Sequence, residues 1–315
     1  MCANDYADNV ASHPPNAFST LGTLRAFQAG RISNFFGCSG EASTIDTECS
    51  SSAVAINRAC VDIIAGKCTT ALAGGANVFT SPNFFQNLNT GKFLSPTGQC
   101  KSFDTKADGY CRGEGVGLLL LKKLSTAQAE GDNILAVISG SAVRQNSNET
   151  YITVPHGPSQ SELYEKVLRS ATRRARLGLL PSSKSVLMIH HKRIPPQASF
   201  TTLNPQITLS DSDRIAITTT GIEWKSSGPL TVCVNNYGAS GSNAALIVTE
   251  PPPLSTTLNQ TIEGNSRSIA SSYPFIITAF SQSSLFANVC CCARLSCSRT
   301  ASSGVGPQTP HKLPS

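Results

Sequence analysis

Cys49 is the residue in this sequence whose surroundings best suit nucleophilic chemistry. It lies in the stretch TIDTECSSSAVAIN (44–57), at the start of a predicted helix over residues 49–65. The unpaired N–H groups and positive dipole of a helix N-terminus stabilise a thiolate, and they can hold the oxyanion formed when it attacks a thioester. Taken alone, this setting leaves open the alternative that Cys49 is one buried cysteine among the 12 of the chain.

Other groups of reactive residues have weaker patterns. Residues 112–117 (RGEGVG) look like a phosphate-binding loop, but they precede a predicted strand and lack the helix N-terminus that such a loop requires. Cys290, Cys291 and Cys292 are adjacent and cannot easily face one tetrahedral zinc ion, and no C-x-x-C pair accompanies them. We therefore expect neither a nucleotide loop nor a metal site.

The elements that must position Cys49 follow from the spacing of apolar residues. Three apolar stretches predict buried strands, and a pair of strands around a glycine-rich turn is predicted further along the chain. Residues 159–178 predict an amphipathic helix with Leu163 and Val167 on its apolar side. Strands mixed with helices, several of the strands apolar throughout, indicate an α/β protein whose sheets are covered on both faces. The strand ranges are 68–79, 116–124, 134–143 and, for the strand pair, 232–253.

Composition restricts the partners and the compartment. The net charge is +6, and basic residues occur singly or in short groups without interleaved aromatic residues, so we expect no nucleic-acid surface. No apolar stretch is long enough to span a membrane, and residues 1–15 lack the pattern of a signal peptide. We therefore predict a cytoplasmic chain whose cysteines are thiols rather than disulfides.

Longer segments change the interpretation of Cys49. The segment 30–60 resembles the active-site region of β-ketoacyl synthases, which usually have Asp-Thr-Ala-Cys-Ser-Ser-Ser where this chain has Glu48 before the cysteine. The resemblance continues, in the expected order, through ALAGGANVF and GYCRGEGVGLLLLKKL within 71–125, IPPQASFTTLNP (194–205) and NNYGASGSNAALIVTE (235–250). The sequence of these segments is most similar to that of the ketosynthase domain of fungal non-reducing polyketide synthases.

The resemblance implies a reaction and its partners. In that family the cysteine accepts an acyl group from the phosphopantetheine thioester of an acyl carrier protein, and two histidines assist decarboxylation of a malonyl thioester before condensation. It implies that Cys49 is the acyl acceptor, that no cofactor is bound and that the protein is a homodimer. Asn236, Tyr237 and Gly238 resemble a gating segment near the cysteine, although a tight turn between two core strands explains them nearly as well.

Both histidine motifs of the family are absent. The five histidines are His13, His156, His190, His191 and His311, and none lies in a matching motif. His156 is interpreted as a loop residue, and the pair 190–191 as a polar helix end. The sequence passes from ARLGLLPSS to VLMIHHKRIPPQ, segments that in the family precede and follow both motifs, so a block of residues is missing around 181–185.

These observations give the predicted architecture. We expect a thiolase-like layered α-β-α-β-α fold that is incomplete, without the N-terminal strands and part of the second half. Because the lost strands expose apolar surface, we expect marginal stability. The predicted ranges are a partial ketosynthase domain over 1–250, with halves of about 1–130 and 131–250, a linker over 251–289 and a disordered tail over 290–315.

Two functions stay open at this point. The first is a ketosynthase-type acyltransferase fragment acylated at Cys49 but unable to complete condensation. The alternative is a catalytically dead remnant that acts at most as a dimerisation or interaction module. A thiolase-type enzyme using coenzyme A thioesters is disfavoured, because the Cys-Ser-Ser-Ser motif (49–52) and the fungal synthase wording point elsewhere.

Overall fold

The helices of the computed structural model account for much of the first half of the chain. The model describes residues 5–147, 151–173, 177–179, 184–210 and 215–252. The predicted linker and tail therefore lie almost wholly outside the described residues, and both stay predictions. The helices are α1 (Asp5–Ala11), α2 (Ser19–Thr23), α3 (Ala26–Phe36), α4 (Ser51–Ile64), α5 (Asn83–Thr90), α6 (Leu124–Ala129), α7 (Gly157–Arg173) and α8 (Lys184–His191).

Six strands form one antiparallel sheet in the order β1-β2-β4-β3-β8-β7. A separate pair, β5-β6, lies outside it. Each predicted strand is present, with bounds that differ by up to four residues. The strands are β1 (Thr70–Asn77), β2 (Gly115–Lys123), β3 (Ala136–Gln145), β4 (Leu177–Leu179), β5 (Arg193–Ile194), β6 (Ile222–Glu223), β7 (Thr231–Tyr237) and β8 (Ser242–Thr249).

Helices cover both faces of this sheet, as the apolar strands predict. Along β8, Leu246 and Val248 pack with the buried residues of α4 and α8, whereas Ala245 and Ile247 pack with those of α7. The alternation follows from the two-residue period of a strand. Two apolar cores therefore lie on opposite faces of the sheet, and β8 contributes to both.

The described layers are helix, sheet and helix, three of the five that the sequence resemblance implies. One large sheet forms because the short strand β4 pairs with β2 on one side and with β3 on the other. Without β4, the antiparallel pair β1-β2 and the three strands β3-β8-β7 would form two separate sheets. Since β4 covers only Ala136–Ile138 of β3, the rest of that edge has no strand partner among the described residues.

The N-terminal helices lie outside both cores. Neither α2 nor α3 contains a buried residue, and Phe18, Leu24 and Phe35 are exposed to 73%, 51% and 48%. Among the described residues, no helix has both the length and the apolar character needed to cross a membrane.

Candidate active site

Cys49 lies in a sharp turn, which we call the nucleophile turn (residues 47–50), immediately before α4. Glu48 has a φ of 58°, in the left-handed region that non-glycine residues rarely adopt. Ser50 follows as the N-cap residue, and the helix begins at Ser51. The predicted helix start at residue 49 is therefore two residues too early, because the chain reversal at Glu48 delays the first helical residue.

The reversal presents Cys49 to solvent while it buries the next residue. Cys49 is exposed, whereas Ser50 is fully buried. The alternative that Cys49 is a buried core cysteine is therefore wrong. The Cys49 thiol is therefore accessible from solvent, while the residue after it is anchored in the protein.

Hydroxyl groups hold the nucleophile turn in place. The Ser51 hydroxyl donates to the Glu48 carbonyl at 2.6 Å and accepts from the Thr47 amide at 2.9 Å. The Ser50 hydroxyl donates to the Thr47 carbonyl at 2.9 Å and lies 2.8 Å from the Thr47 hydroxyl. The serines after Cys49 thus fix the strained turn, a role that the sequence pattern does not reveal.

The first turn of α4 leaves backbone donors close to Cys49. The Ser51 amide donates to the Glu48 carbonyl at 3.1 Å, and the Val54 amide donates to the Ser50 carbonyl at 3.0 Å. In the part of the chain that the structure describes, neither the Ser52 amide nor the Ala53 amide donates a hydrogen bond to a backbone carbonyl outside α4. Such orphan N–H groups favour negative charge at a helix N-terminus.

The turn between β7 and β8 packs directly against the nucleophile turn. A Cβ atom on Gly238 would lie 2.4 Å from the Thr47 carbonyl oxygen and 2.8 Å from the Ser50 hydroxyl oxygen, so only glycine fits. The Ser240 hydroxyl donates to the same Thr47 carbonyl at 3.4 Å. The turn itself is closed by an N–H···O bond of 2.8 Å from Gly238 to Ser242.

The other two residues of the predicted gating segment lie on opposite faces of the sheet. Asn236 shares a face with Val232 and Val234, which pack on the α4 side. The hydroxyl of Tyr237 is hydrogen-bonded to that of Tyr164 on α7, on the other side. Burial, followed by this hydrogen bond, raises the pKa of Tyr237. The Tyr237 ring therefore does not pack against the nucleophile pocket, because β7 turns it to the α7 face.

Each histidine that the structure describes contacts residues close to it in the sequence. His156 is buried and caps α7, with its Nδ1 atom 2.8 Å from the Ser159 hydroxyl and 3.3 Å from the Ser159 amide nitrogen. His190 and His191 end α8, with ring centroids 5.0 Å apart. His13 lies against the Asn9 carbonyl on the surface, and His311 is outside the described residues.

Cys60 shows how differently a buried thiol behaves. It lies on α4, is 1% exposed, and burial raises the pKa of its thiol from 9.0 to about 12. The exposed thiols in the described residues are those of Cys38, Cys49, Cys100, Cys111 and Cys233. No group of three or more His, Cys, Asp or Glu residues in the described ranges is placed to hold a metal ion.

Gly75 is a residue of this site that the sequence interpretation passed over. A Cβ atom on Gly75 would lie 2.9 Å from the Cβ atom of Ser52, so β1 approaches the first turn of α4 more closely than a side chain at this position would allow. The signal was present as the glycine pair Gly74-Gly75 inside an otherwise apolar strand, a pattern typical of close backbone approach.

A cavity of about 410 Å³ lies away from Cys49. It opens beside the unpaired edge of β3, with Asn57 and Val61 of α4 on one side and Lys166 and Arg169 of α7 on the other. The Lys166 ammonium group donates to the Val143 carbonyl at 3.0 Å and so satisfies part of the open edge.

Comparison with known proteins places this chain in a family. The model of the β-ketoacyl synthase N-terminal domain matches residues 1–127. A non-reducing polyketide synthase of Emericella nidulans is 53% identical over 255 residues, which are 80% of this chain and 10% of the relative. A non-reducing polyketide synthase of Preussia isomera is 44% identical over 340 residues, 91% of this chain and 13% of the relative.

Solved structures with the same fold are ketosynthases. The ketosynthase from module 6 of the bacillaene synthase of Bacillus subtilis has a TM-score of 0.69 and 26% identity over 76% of this chain and 52% of that chain. An oxazolomycin ketosynthase domain of Streptomyces albus has a TM-score of 0.66 and 28% identity over 73% and 50%. The thiolase-like fold class is thereby confirmed, and the chain spans about half the length of these structures.

The alignment with the Preussia relative also bears on the missing block. It extends over 340 residues, more than the 315 residues of this chain, so part of that relative has no counterpart here. The chain as a whole spans only about a tenth of the polyketide synthases that it matches. On these matches the chain belongs to the β-ketoacyl synthase family, as a ketosynthase sequence of the fungal non-reducing polyketide synthase type.

Proposed function

We propose that this chain accepts an acyl group on Cys49 from a phosphopantetheine thioester carried by an acyl carrier protein. The observation that carries the proposal is the exposed thiol in a strained turn, two residues before the first residue of α4. The thiolate attacks the thioester carbonyl, and the tetrahedral oxyanion collapses with departure of the phosphopantetheine thiolate. The amides of Ser52 and Ala53, which donate to no backbone carbonyl outside α4 among the described residues, are candidates to stabilise that oxyanion.

We propose further that the reaction stops after acyl transfer. Decarboxylation of a malonyl thioester needs neutral imidazole donors for the developing enolate. The described histidines are engaged as a helix cap, a helix end and a surface contact, and neither family motif is in the sequence. Carbon–carbon bond formation is therefore not expected.

Acylation is tested with a short-chain acyl phosphopantetheine thioester and adduct mapping by mass spectrometry. We expect an acyl adduct on Cys49 that disappears in Cys49→Ala. Cys38→Ala is the matched control, since Cys38 is also an exposed thiol in the described part of the chain. Equal acylation of both cysteines, or none at Cys49, would contradict the proposal. A β-ketoacyl product formed with a malonyl thioester above the Cys49→Ala background would contradict the second part.

A non-catalytic role as a dimerisation or interaction module is the second candidate. The large apolar side chains of Phe18, Leu24 and Phe35 on the N-terminal segment are exposed and so available to a partner, which favours this candidate. Analytical ultracentrifugation tests it. A dimer that dissociates in Phe18→Ser with Phe35→Ser supports the module, whereas a monomer at micromolar concentration argues against it.

A further inference from the structure

Two cysteines outside the active site contact each other. The amide of Cys111 donates a hydrogen bond of 3.1 Å to the sulfur of Cys100, and that sulfur lies 3.8 Å from the Cys111 carbonyl oxygen. An N–Cα bond of about 1.46 Å then places the Cα atom of Cys111 within about 4.6 Å of the Cys100 sulfur. The Cys111 side chain starts at that Cα atom, so rotation about its Cα–Cβ bond can move its sulfur towards the Cys100 sulfur, which a disulfide must approach to about 2.05 Å.

The loop between these cysteines is held in the shape that keeps them close. Tyr110, next to Cys111, donates from its amide to the Phe93 carbonyl at 3.1 Å and accepts from the Ser95 amide at 3.0 Å. Across the loop, the Lys101 ammonium group lies 2.6 Å from the Asp108 carboxylate. The contact between the two cysteines therefore rests on a fixed backbone arrangement rather than on a chance encounter of flexible side chains.

This pair differs from the other cysteines that the structure describes. Cys100 and Cys111 are both exposed, and they are the one pair of described cysteines joined by hydrogen bonds. Cys38 is exposed but has no cysteine next to it among those residues, and Cys60 is buried. The Cys111 thiol donates to the Arg112 carbonyl oxygen at 3.4 Å, a weak hydrogen bond at an exposed position that rotation towards Cys100 must break.

We propose that Cys100 and Cys111 form an oxidisable dithiol site whose substrate is a hydroperoxide. One thiolate attacks the peroxide O–O bond and becomes a sulfenic acid, with release of the alcohol. The second thiolate attacks the sulfenic sulfur and forms the disulfide, with release of water. Overall, two thiols lose two electrons and two protons, and the hydroperoxide is reduced to alcohol and water. Two equivalents of a small thiol reduce the disulfide back to the two thiols by exchange and are themselves oxidised to a disulfide.

The test treats the reduced protein with tert-butyl hydroperoxide, blocks free thiols with N-ethylmaleimide, and digests with trypsin without reductant. Cleavage after Lys92, Lys101, Lys106 and Arg112 yields peptides 93–101 and 107–112, each with one cysteine. We expect these two peptides to be found linked, with the loss of two hydrogens, and to separate again after dithiothreitol. They should be linked in preference to every other cysteine pairing, and this preference should vanish in protein oxidised in urea.

Single substitutions distinguish a built pair from general thiol oxidation. In Cys100→Ser the 107–112 peptide should carry a maleimide adduct instead of a link, and Cys111→Ser should free the 93–101 peptide in the same way. Cys38→Ser is the matched control and should leave the link unchanged. Unlinked peptides in the oxidised wild-type protein, or links to other cysteines in equal yield, would overturn the proposal.

Discussion

At the scale of single residues, the nucleophile turn stores strain at the residue before the thiol. Glu48 holds a left-handed backbone, although the family pattern has a small residue at this position. The hydroxyls of Ser50 and Ser51 stabilise the turn from both sides. Strained backbone of this kind persists only when its surroundings over-determine it.

Replacing Glu48 by glycine should stabilise the protein relative to replacement by alanine. Glycine adopts a φ of 58° without a Cβ clash, so Glu48→Gly should be more stable than Glu48→Ala by about 1 kcal/mol. Urea unfolding measures the difference. The alanine variant controls for loss of the carboxylate, and equal stability of the two variants would show that the turn is unstrained.

Asp104 is a second single residue on which the structure depends, because its buried carboxylate connects two loop segments. It is buried, and one carboxylate oxygen accepts from the amide and hydroxyl of Thr201 at 2.6 and 2.8 Å and from the Thr202 amide at 2.9 Å. These donors, the Thr202 amide first, hold the pKa of Asp104 well below its ordinary value. The carboxylate thereby connects the loop before β2 to the segment after β5.

This depressed pKa predicts an acid-sensitive contribution to stability. The folded state binds the proton less readily than the unfolded chain, so the contribution is fully present above the unfolded pKa of about 4 and is lost as the pH falls further. Asp104→Asn should lower the urea midpoint at pH 7, and the difference from wild type should shrink below about pH 4. A difference that stays constant from pH 7 to pH 3 would contradict this account.

At the scale of elements, the nucleophile turn is held between two close backbone approaches. The 238–241 turn meets it at Gly238, and β1 meets the first helical turn at Gly75. Both contacts depend on the absence of a side chain on the glycine. The nucleophile turn therefore cannot move independently of the 238–241 turn, and the first turn of α4 cannot move independently of β1. The position of Cys49 is therefore fixed by segments that are far apart in sequence.

Gly238→Ala should displace the nucleophile turn. The new methyl group would lie 2.4 Å from the Thr47 carbonyl oxygen, and overpacking of this kind costs about 1–3 kcal/mol. We expect a lower urea midpoint and a changed rate of Cys49 alkylation by iodoacetamide. Gly228→Ala is the matched control, because nothing lies within 4 Å of its Cβ position. An unchanged alkylation rate in Gly238→Ala would separate this turn from Cys49.

At the scale of the whole molecule, one sheet joins two cores into a single folding unit. Neighbouring residues of β8 serve opposite cores, Leu246 with α4 and Ile247 with α7. Trp224, the one tryptophan of the chain, packs against the core that contains Leu246. The molecule therefore carries an intrinsic fluorescence probe on one face of its sheet.

Leu246→Ala and Ile247→Ala should each destabilise the whole molecule by about 2–5 kcal/mol. If the two cores unfold together, each variant should shift the Trp224 fluorescence transition and the far-ultraviolet circular dichroism transition by the same amount. The two variants control for each other, since they are adjacent and both buried. If Ile247→Ala left the Trp224 fluorescence transition unchanged, the two faces of the sheet would be shown to unfold separately.

Much of the fold followed from apolar periodicity. The strands β1, β2, β3, β7 and β8 were predictable from short apolar runs, and the helices α4 and α7 from apolar residues at helical spacing. The joining of the sheet by β4 was not, because three residues of LGL (177–179) carry no periodic signal and pair with strands that are distant in sequence.

The sequence by itself determined the resemblance that predicts Cys49 to be the family's nucleophile, and it determined that both histidine motifs are absent, since both depend only on residue order. The tertiary structure alone decided that the thiol is exposed, that Gly238 packs on its turn, and that Tyr237 faces α7. Those three facts depend on a left-handed residue and on contacts between β7, β8 and the nucleophile turn. Packing between segments that are far apart in the sequence determines these three facts, and the local sequence pattern carries no information about that packing.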